Sequence, residues 1–273
     1  MLRLKTINAA AGLALLLCAP LAAAHIGVVN TQLPFAREGT YELVLAVPHG
    51  CAVPGSSPAV ETDTYRVEVT TPAAFGSPRA IIDGVFGVPT RSTNADGTTT
   101  FVWTKLGNGS SNHFDAVGQA DNQSYRIALR GSFRATTTSA EGTRFTTQRF
   151  NAKQYCKNPA AGQPDLFTDW ANYSAAGDNQ SPAVKVYPTR VAGWNAYTLP
   201  ASVAATLATP AAVSAFVKAY FGDAQIVWVG KAGYSPNADT TARIQALVAK
   251  DSSYSELVNK PSLSSSETLW VKY

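Results

Sequence analysis

Histidine, cysteine and methionine are scarce in this sequence: three, three and one in 273 residues. The histidines are His25, His49 and His113, and no Gly-x-Ser-x-Gly elbow accompanies them, so nothing supports a Ser-His-Asp hydrolase. No glycine-rich loop sits between a strand pattern and a helix pattern. Gly107-Asn-Gly-Ser-Ser is a turn cluster, which leaves a nucleotide-binding motif without a foothold. Charged residues make up 15% of the chain and the formal charge is only +4, which is no nucleic-acid footprint. No internal repeat is visible. Past residue 24 no apolar run approaches the ~20 residues of a spanning helix.

What is present begins with an export signal. Arg3 and Lys5 form a positive n-region, Ala9 to Leu17 an apolar stretch, and Leu21-Ala22-Ala23-Ala24 the small residues of a cleavage site. Leu17 ahead of Cys18 is too large for a lipobox, so no lipid anchor is expected. Residues 1–24 read as a signal peptide, and the protein as soluble, exported and periplasmic in a bacterium. Cleavage after Ala24 makes His25 the first residue. Its free α-amine and ring Nδ1 can then close a chelate ring on one metal ion, a donor set that suits the tetragonal preference of Cu(II). The amine titrates near ~8 and must lose its proton to bind, so affinity rises with pH. Some residue must follow every cleavage site, however, and a histidine there by chance is the competing reading.

Loss of the signal leaves Cys51 and Cys156. In an oxidising compartment two cysteines are expected to pair. A loop of about 105 residues is worth about 4.7 kcal/mol in the chain-entropy model. A Cu(I) thiolate pair is the alternative, weakened by the lack of a Cys-x-x-Cys spacing.

Period-two patterns fill the chain to about residue 150. His25-Ile-Gly-Val-Val reads as a short first strand that ties the mature N-terminus into a sheet. Tyr41, Leu43, Leu45 and Val47 alternate with Glu42, Val44 and Ala46 up to Pro48. His49 follows, where the strand enters a loop stapled at Cys51; a plain surface histidine is the competing reading. Further strands are read at 65–70, from Ala80, and at 98–104, 123–131 and 143–150. Trp103 lies near the end of one, and core packing is the commoner fate of so large a ring. Residues 157–182 are turn-rich and hold Trp170 and Tyr173. Many short strands between turns predict a mainly β fold, a sandwich or open barrel. After residue 182 the texture changes. Thr209-Pro210 starts a helix with Val213, Phe216, Val217, Tyr220 and Phe221 on one face. A strand at 225–230 follows, then a helix at 241–250 with Ile244, Leu247 and Val248 inward, then a last strand at 268–273. The expected organisation is a signal at 1–24, a β-domain at 25–182 and a small α+β extension at 183–273.

Ala24-His25, Val47-Pro48-His49-Gly50-Cys51, Val102-Trp103-Thr104, Tyr125-Arg-Ile-Ala-Leu-Arg-Gly and Gln154-Tyr-Cys156 together resemble the YcnI-like domain of bacterial exported copper proteins. The resemblance covers roughly residues 25–175, and the tail from Ser181 looks like the extension some members carry. It implies a cupredoxin-like β fold that binds Cu(II) through an N-terminal histidine brace, completed by a carboxylate and a tryptophan. Carried over, His25 is the brace and Trp103 the tryptophan. No glutamate stands in the matching motif. His49 is the donor at the comparable place, with Glu38, Glu42 and His113 as alternatives. An indole N–H only donates, so Trp103 would exclude water, stack on Cu(I) or pass an electron rather than ligate.

Three functions compete. The first is a non-enzymatic copper carrier or buffer in periplasmic copper homeostasis, passing metal to other periplasmic or membrane copper-handling proteins. The second is a copper-dependent oxidative enzyme similar to lytic polysaccharide monooxygenases, with a second histidine in the brace and Trp170 and Tyr173 as candidate aromatics for a flat polysaccharide face. The third is an exported structural β-domain without metal.

Overall fold

The computed structural model describes residues 26–29, 35–48, 50–56, 61–82, 84–105, 124–133, 142–158, 160, 162–170 and 181–273. In chain order the β-domain consists of β1 (Gly27–Val28), β2 (Phe35–Arg37), β3 (Gly39–Val47), β4 (Cys51–Ala52), β5 (Glu61–Thr62), β6 (Thr64–Thr71), β7 (Phe75–Ile81), β8 (Thr90–Thr93), β9 (Thr99–Thr104), β10 (Tyr125–Phe133), β11 (Thr146–Arg149), β12 (Asn151–Cys156), β13 (Leu166–Asp169) and β14 (Ala183–Tyr187). Among the described residues, β1-β3-β10-β7 form one sheet and β13-β12-β6-β9-β8 a second, with β11-β14-β2 as a smaller third.

The alternation in β3 dictates much of this. Leu43, Leu45 and Val47 are buried and Glu42 is exposed. β10 pairs along the whole of β3, from Tyr125 opposite Val47 to Phe133 opposite Gly39. Ile127, Leu129 and Phe133 therefore share the inner face. Val67, Val69, Phe101, Trp103 and Ala152 face them from the second sheet, and one apolar core lies between. This is a β-sandwich. Phe75 and Phe150 meet edge to face inside it, centroids 5.3 Å apart. Gly131 makes room for that contact, since a Cβ there would meet the Phe75 ring at 2.6 Å.

Two expectations change here. The strand expected over 143–150 is shorter: residues 143–145 form a turn, with Phe145 at φ 63°. β11 then pairs with β14, whereas β12 pairs with β6 and β13 in the larger sheet. The chain changes sheets at Phe150, because that fully buried ring turns inward and its N–H bonds to Pro182 O at 2.8 Å. The boundary expected at 183 also falls inside a strand of the sandwich. β14 pairs with β11 and, in parallel, with β2, and Val184 and Val186 belong to the sandwich core. The separate C-terminal unit therefore starts after Tyr187 rather than at 183.

That unit comprises β15 (Trp194–Thr198), α1 (Ala201–Ala204), α2 (Pro210–Tyr220), β16 (Ile226–Val229), β17 (Ala232–Tyr234), α3 (Ala238–Lys250), β18 (Ser255–Glu256) and β19 (Thr268–Lys272), with the sheet ordered β15-β19-β16-β17-β18. Thr209 caps α2 by accepting from Ala212 N, and Val213, Phe216, Val217 and Tyr220 are buried. They pack on Val227, Val229, Leu269 and Val271 in a second core. α3 starts earlier than its apolar pattern, at an Asn237 cap, and only Ile244 is buried. Leu247 is 41% exposed, because α3 lies along the β17–β18 edge rather than over the sheet face. Among the described residues no helix is long and apolar enough to cross a membrane.

Candidate metal centre

The residue after His25 is firmly held. Ile26 is buried in the sandwich core. Gly27 and Val28 pair with Ala46 and Leu45 of β3, and Val29 N donates to Val44 O at 2.8 Å. β3 ends at Val47, and the chain returns at Gly50 into Cys51, which pairs with Thr62. Cys51 and Cys156 are bridged, with Cα atoms 5.8 Å apart. The disulfide thus closes the end of the sandwich at which β1 begins. Oxidation consumes both sulfurs, and the alternative of a Cu(I) thiolate pair falls away.

A buried polar cluster occupies the same end. Tyr125 stands opposite Val47, and its Oη donates to Asp63 Oδ1 at 2.8 Å. Lys105 Nζ donates to Asp63 and to Tyr125 Oη, and its side chain is 4% exposed. Phe86 sets its edge against Tyr125 at 5.4 Å. An ammonium taken out of water requires a carboxylate beside it, and Asp63 supplies it. These residues were not singled out from the sequence. One signal was available: Phe101, Trp103 and Lys105 alternate, which puts the lysine on the inward face. Nearby, Tyr65 donates to Asp165 at 2.6 Å, and burial together with that carboxylate pushes its pKa up to about 12. It stays a phenol at neutral pH, its proton held by Asp165.

The expected ligands fall out as follows. His25, His49 and His113 lie outside the described residues. Trp103 is fully buried against Phe101, ring centroids 5.7 Å apart, two residues along β9 from Lys105. Among the described residues its Nε1 is buried without a hydrogen-bond partner. Glu38 precedes the opposite end of β3, roughly 30 Å along the strand from Pro48. There it accepts from Arg144 N at 3.2 Å and pairs with that guanidinium at 4.0 Å. Glu42 is exposed on the outer face, opposite Arg130. Neither glutamate can share a metal with a residue at the Pro48 end. Trp170 is 4% exposed in the sandwich core, so it is no surface platform; Tyr173 lies outside the described residues.

No family model and no curated protein matches the chain. A crystal structure of an uncharacterized protein from Nocardia farcinica, described as having an immunoglobulin-like fold, is similar over 60% of this chain and 98% of that one, at 17% identity and a TM-score of 0.37.

Among the described residues no group of three or more His, Cys, Asp or Glu could hold a metal ion. The described donors alone therefore do not fit copper. Any brace would rest on histidines outside the described residues, His25 with His49 or His113.

Proposed function

We propose that this is an exported copper-binding protein. His25 holds Cu(II) as an N-terminal brace, His49 adds a nitrogen, and the metal is cargo for periplasmic copper-handling partners. The observation that supports this most is the anchored start of the β-domain. Ile26 is buried and β1 is paired to β3, at the sandwich end that the Cys51–Cys156 disulfide closes. A two-nitrogen chelate at a chain start needs a rigid residue behind it, since a loosely held first shell loses affinity to disorder. Carriage of a metal requires no further catalytic group. Trp103 serves as core packing beneath the Lys105 cluster, so Trp103→Phe keeps full Cu(II) affinity.

The test is a Cu(II) titration of protein beginning at His25 against protein with one extra residue before it. Extension keeps the imidazole and destroys the amine–ring chelate. Tight binding and a tetragonal EPR signal are expected only in the first. Equal binding by both, or by neither, refutes the brace. With a reductant and a polysaccharide, the copper-loaded carrier releases no oxidised sugars; their release would replace the carrier reading with the oxidative enzyme.

A further inference from the structure

The outer face of the C-terminal sheet carries tryptophans that a copper carrier does not use. In the β15–β19–β16 register Trp194 stands opposite Lys272, and Trp270 stands opposite both Ala196 and Trp228. Directly opposed residues share a face of a sheet. Trp194, Trp270 and Trp228 therefore lie on one side, and the residues that alternate with them, Tyr197, Val227, Leu269 and Val271, fill the core on the other. Three of the protein's five tryptophans are gathered here. Trp194 is 51% and Trp270 49% exposed. Strands ~4.8 Å apart spread the rings over ~10 Å.

Trp228 lies down over Gly233, where a Cβ would meet the indole at 2.8 Å, and Tyr254 borders it edge-on at 6.2 Å. The charge of the face is mixed: Lys272 and Glu256 share it, and at its border Lys231, beside Asp251, reaches over the Tyr254 ring. At the rim Arg144, already paired with Glu38, bonds to Thr198 Oγ1. Nucleic acid and anionic membranes want a basic surface, which this is not. An aromatic surface of mixed charge, with hydroxyls such as Thr198 and Thr268, complements a ligand that is uncharged, rich in C–H and able to hydrogen-bond, and indoles spread over ~10 Å suit successive ring faces of such a ligand.

We propose that this face binds an uncharged polysaccharide of β-linked hexoses, whose ring faces stack on Trp194, Trp270 and Trp228. The site stands apart from the copper reading and neither needs the other.

The test uses the full exported chain on microcrystalline cellulose, on chitin, and in gels containing hydroxyethylcellulose. Retention by at least one is expected. Trp194→Ala or Trp270→Ala each weakens it roughly fivefold or more, the double variant falls to background, and Trp270→Tyr keeps most of it. Both side chains are half-exposed, so the variants fold, which thermal melts verify. Retention by none of the three materials overturns the proposal. So does retention unchanged in the double variant. Gel filtration showing a dimer that Trp270→Ala splits, or binding to phosphatidylglycerol vesicles in place of glycan, overturns it as well.

Discussion

Asp63→Asn is the sharpest probe of the sandwich end. The substitution keeps the side chain's shape and removes its charge. Lys105 is then left beside Tyr125 Oη without its carboxylate, with a side chain only 4% exposed. Removing one partner of a buried ion pair costs about 3–5 kcal/mol. Asp63 is itself 21% exposed, and water entering there takes up part of the loss, so the lower figure of about 3 kcal/mol is expected. For a chain of this size that is a fall in Tm of about 6–12 °C. Lys105→Met should cost much less, because the remaining carboxylate can be hydrated and an apolar chain suits the site. The double variant should lose less than the sum of the two. Urea unfolding of the four proteins reads the whole cycle. A loss below about 0.5 kcal/mol for Asp63→Asn, the scale of an exposed pair, refutes the reasoning. So does a Lys105→Met loss as large as that of Asp63→Asn.

Three other perturbations test separate parts of the structure. Replacing Cys51 and Cys156 together by alanine frees a loop of 105 residues and should lower stability by up to about 4.7 kcal/mol, read as the shift in urea midpoint. Phe145→Ala should cost about 3–5 kcal/mol, since the ring is buried among Tyr197, Phe216, Tyr220 and Phe221; Phe145→Gly should be no worse, because glycine accepts the φ of 63°. Burial pushes the Glu267 carboxyl up, but the Ser264 N–H and Lys260 outweigh it and hold its pKa below the usual 4.5. A depressed folded pKa adds stability above that value and loses it as pH falls through the folded one. The urea-midpoint advantage over Glu267→Gln should therefore be present at pH 6 and close on acidification below 4.5.

Strand faces were legible because burial follows a period of two. Leu43, Leu45 and Val47 fall inward in β3, and Thr209-Pro210 starts α2 as its cap chemistry dictates. The disulfide followed from the two cysteines left once the export signal is set aside, together with the oxidising compartment that signal implies. What local pattern could not convey was partnership between distant segments. Nothing within residues 143–156 signals that β11 and β12 belong to different sheets, because the switch at Phe150 is decided by rings on β7 and β10. The same holds for the cluster at the sandwich end. Asp63, Lys105 and Tyr125 are spread over 62 positions and meet only through the β6–β9 and β3–β10 registers. Trp194, Trp228 and Trp270 likewise share a face only once β19 is inserted between β15 and β16.

Phe145 shows how the two units become one body. A non-glycine residue at positive φ costs about 1–3 kcal/mol, and a buried phenylalanine is worth about 3–5 kcal/mol against alanine. Burial wins, so the turn ahead of β11 stays strained and keeps its ring in the second core, while Phe145 N donates to Val186 O of the sandwich at 2.7 Å. Tyr187, the last residue of β14, donates to Ala219 O of α2 at 2.6 Å, and Arg144 reaches Thr198 O at 3.0 Å. Three sandwich side chains thus grip α2 and β15. The C-terminal unit is docked rather than tethered, and the tryptophan face is carried on a sheet whose other side is fastened to the sandwich.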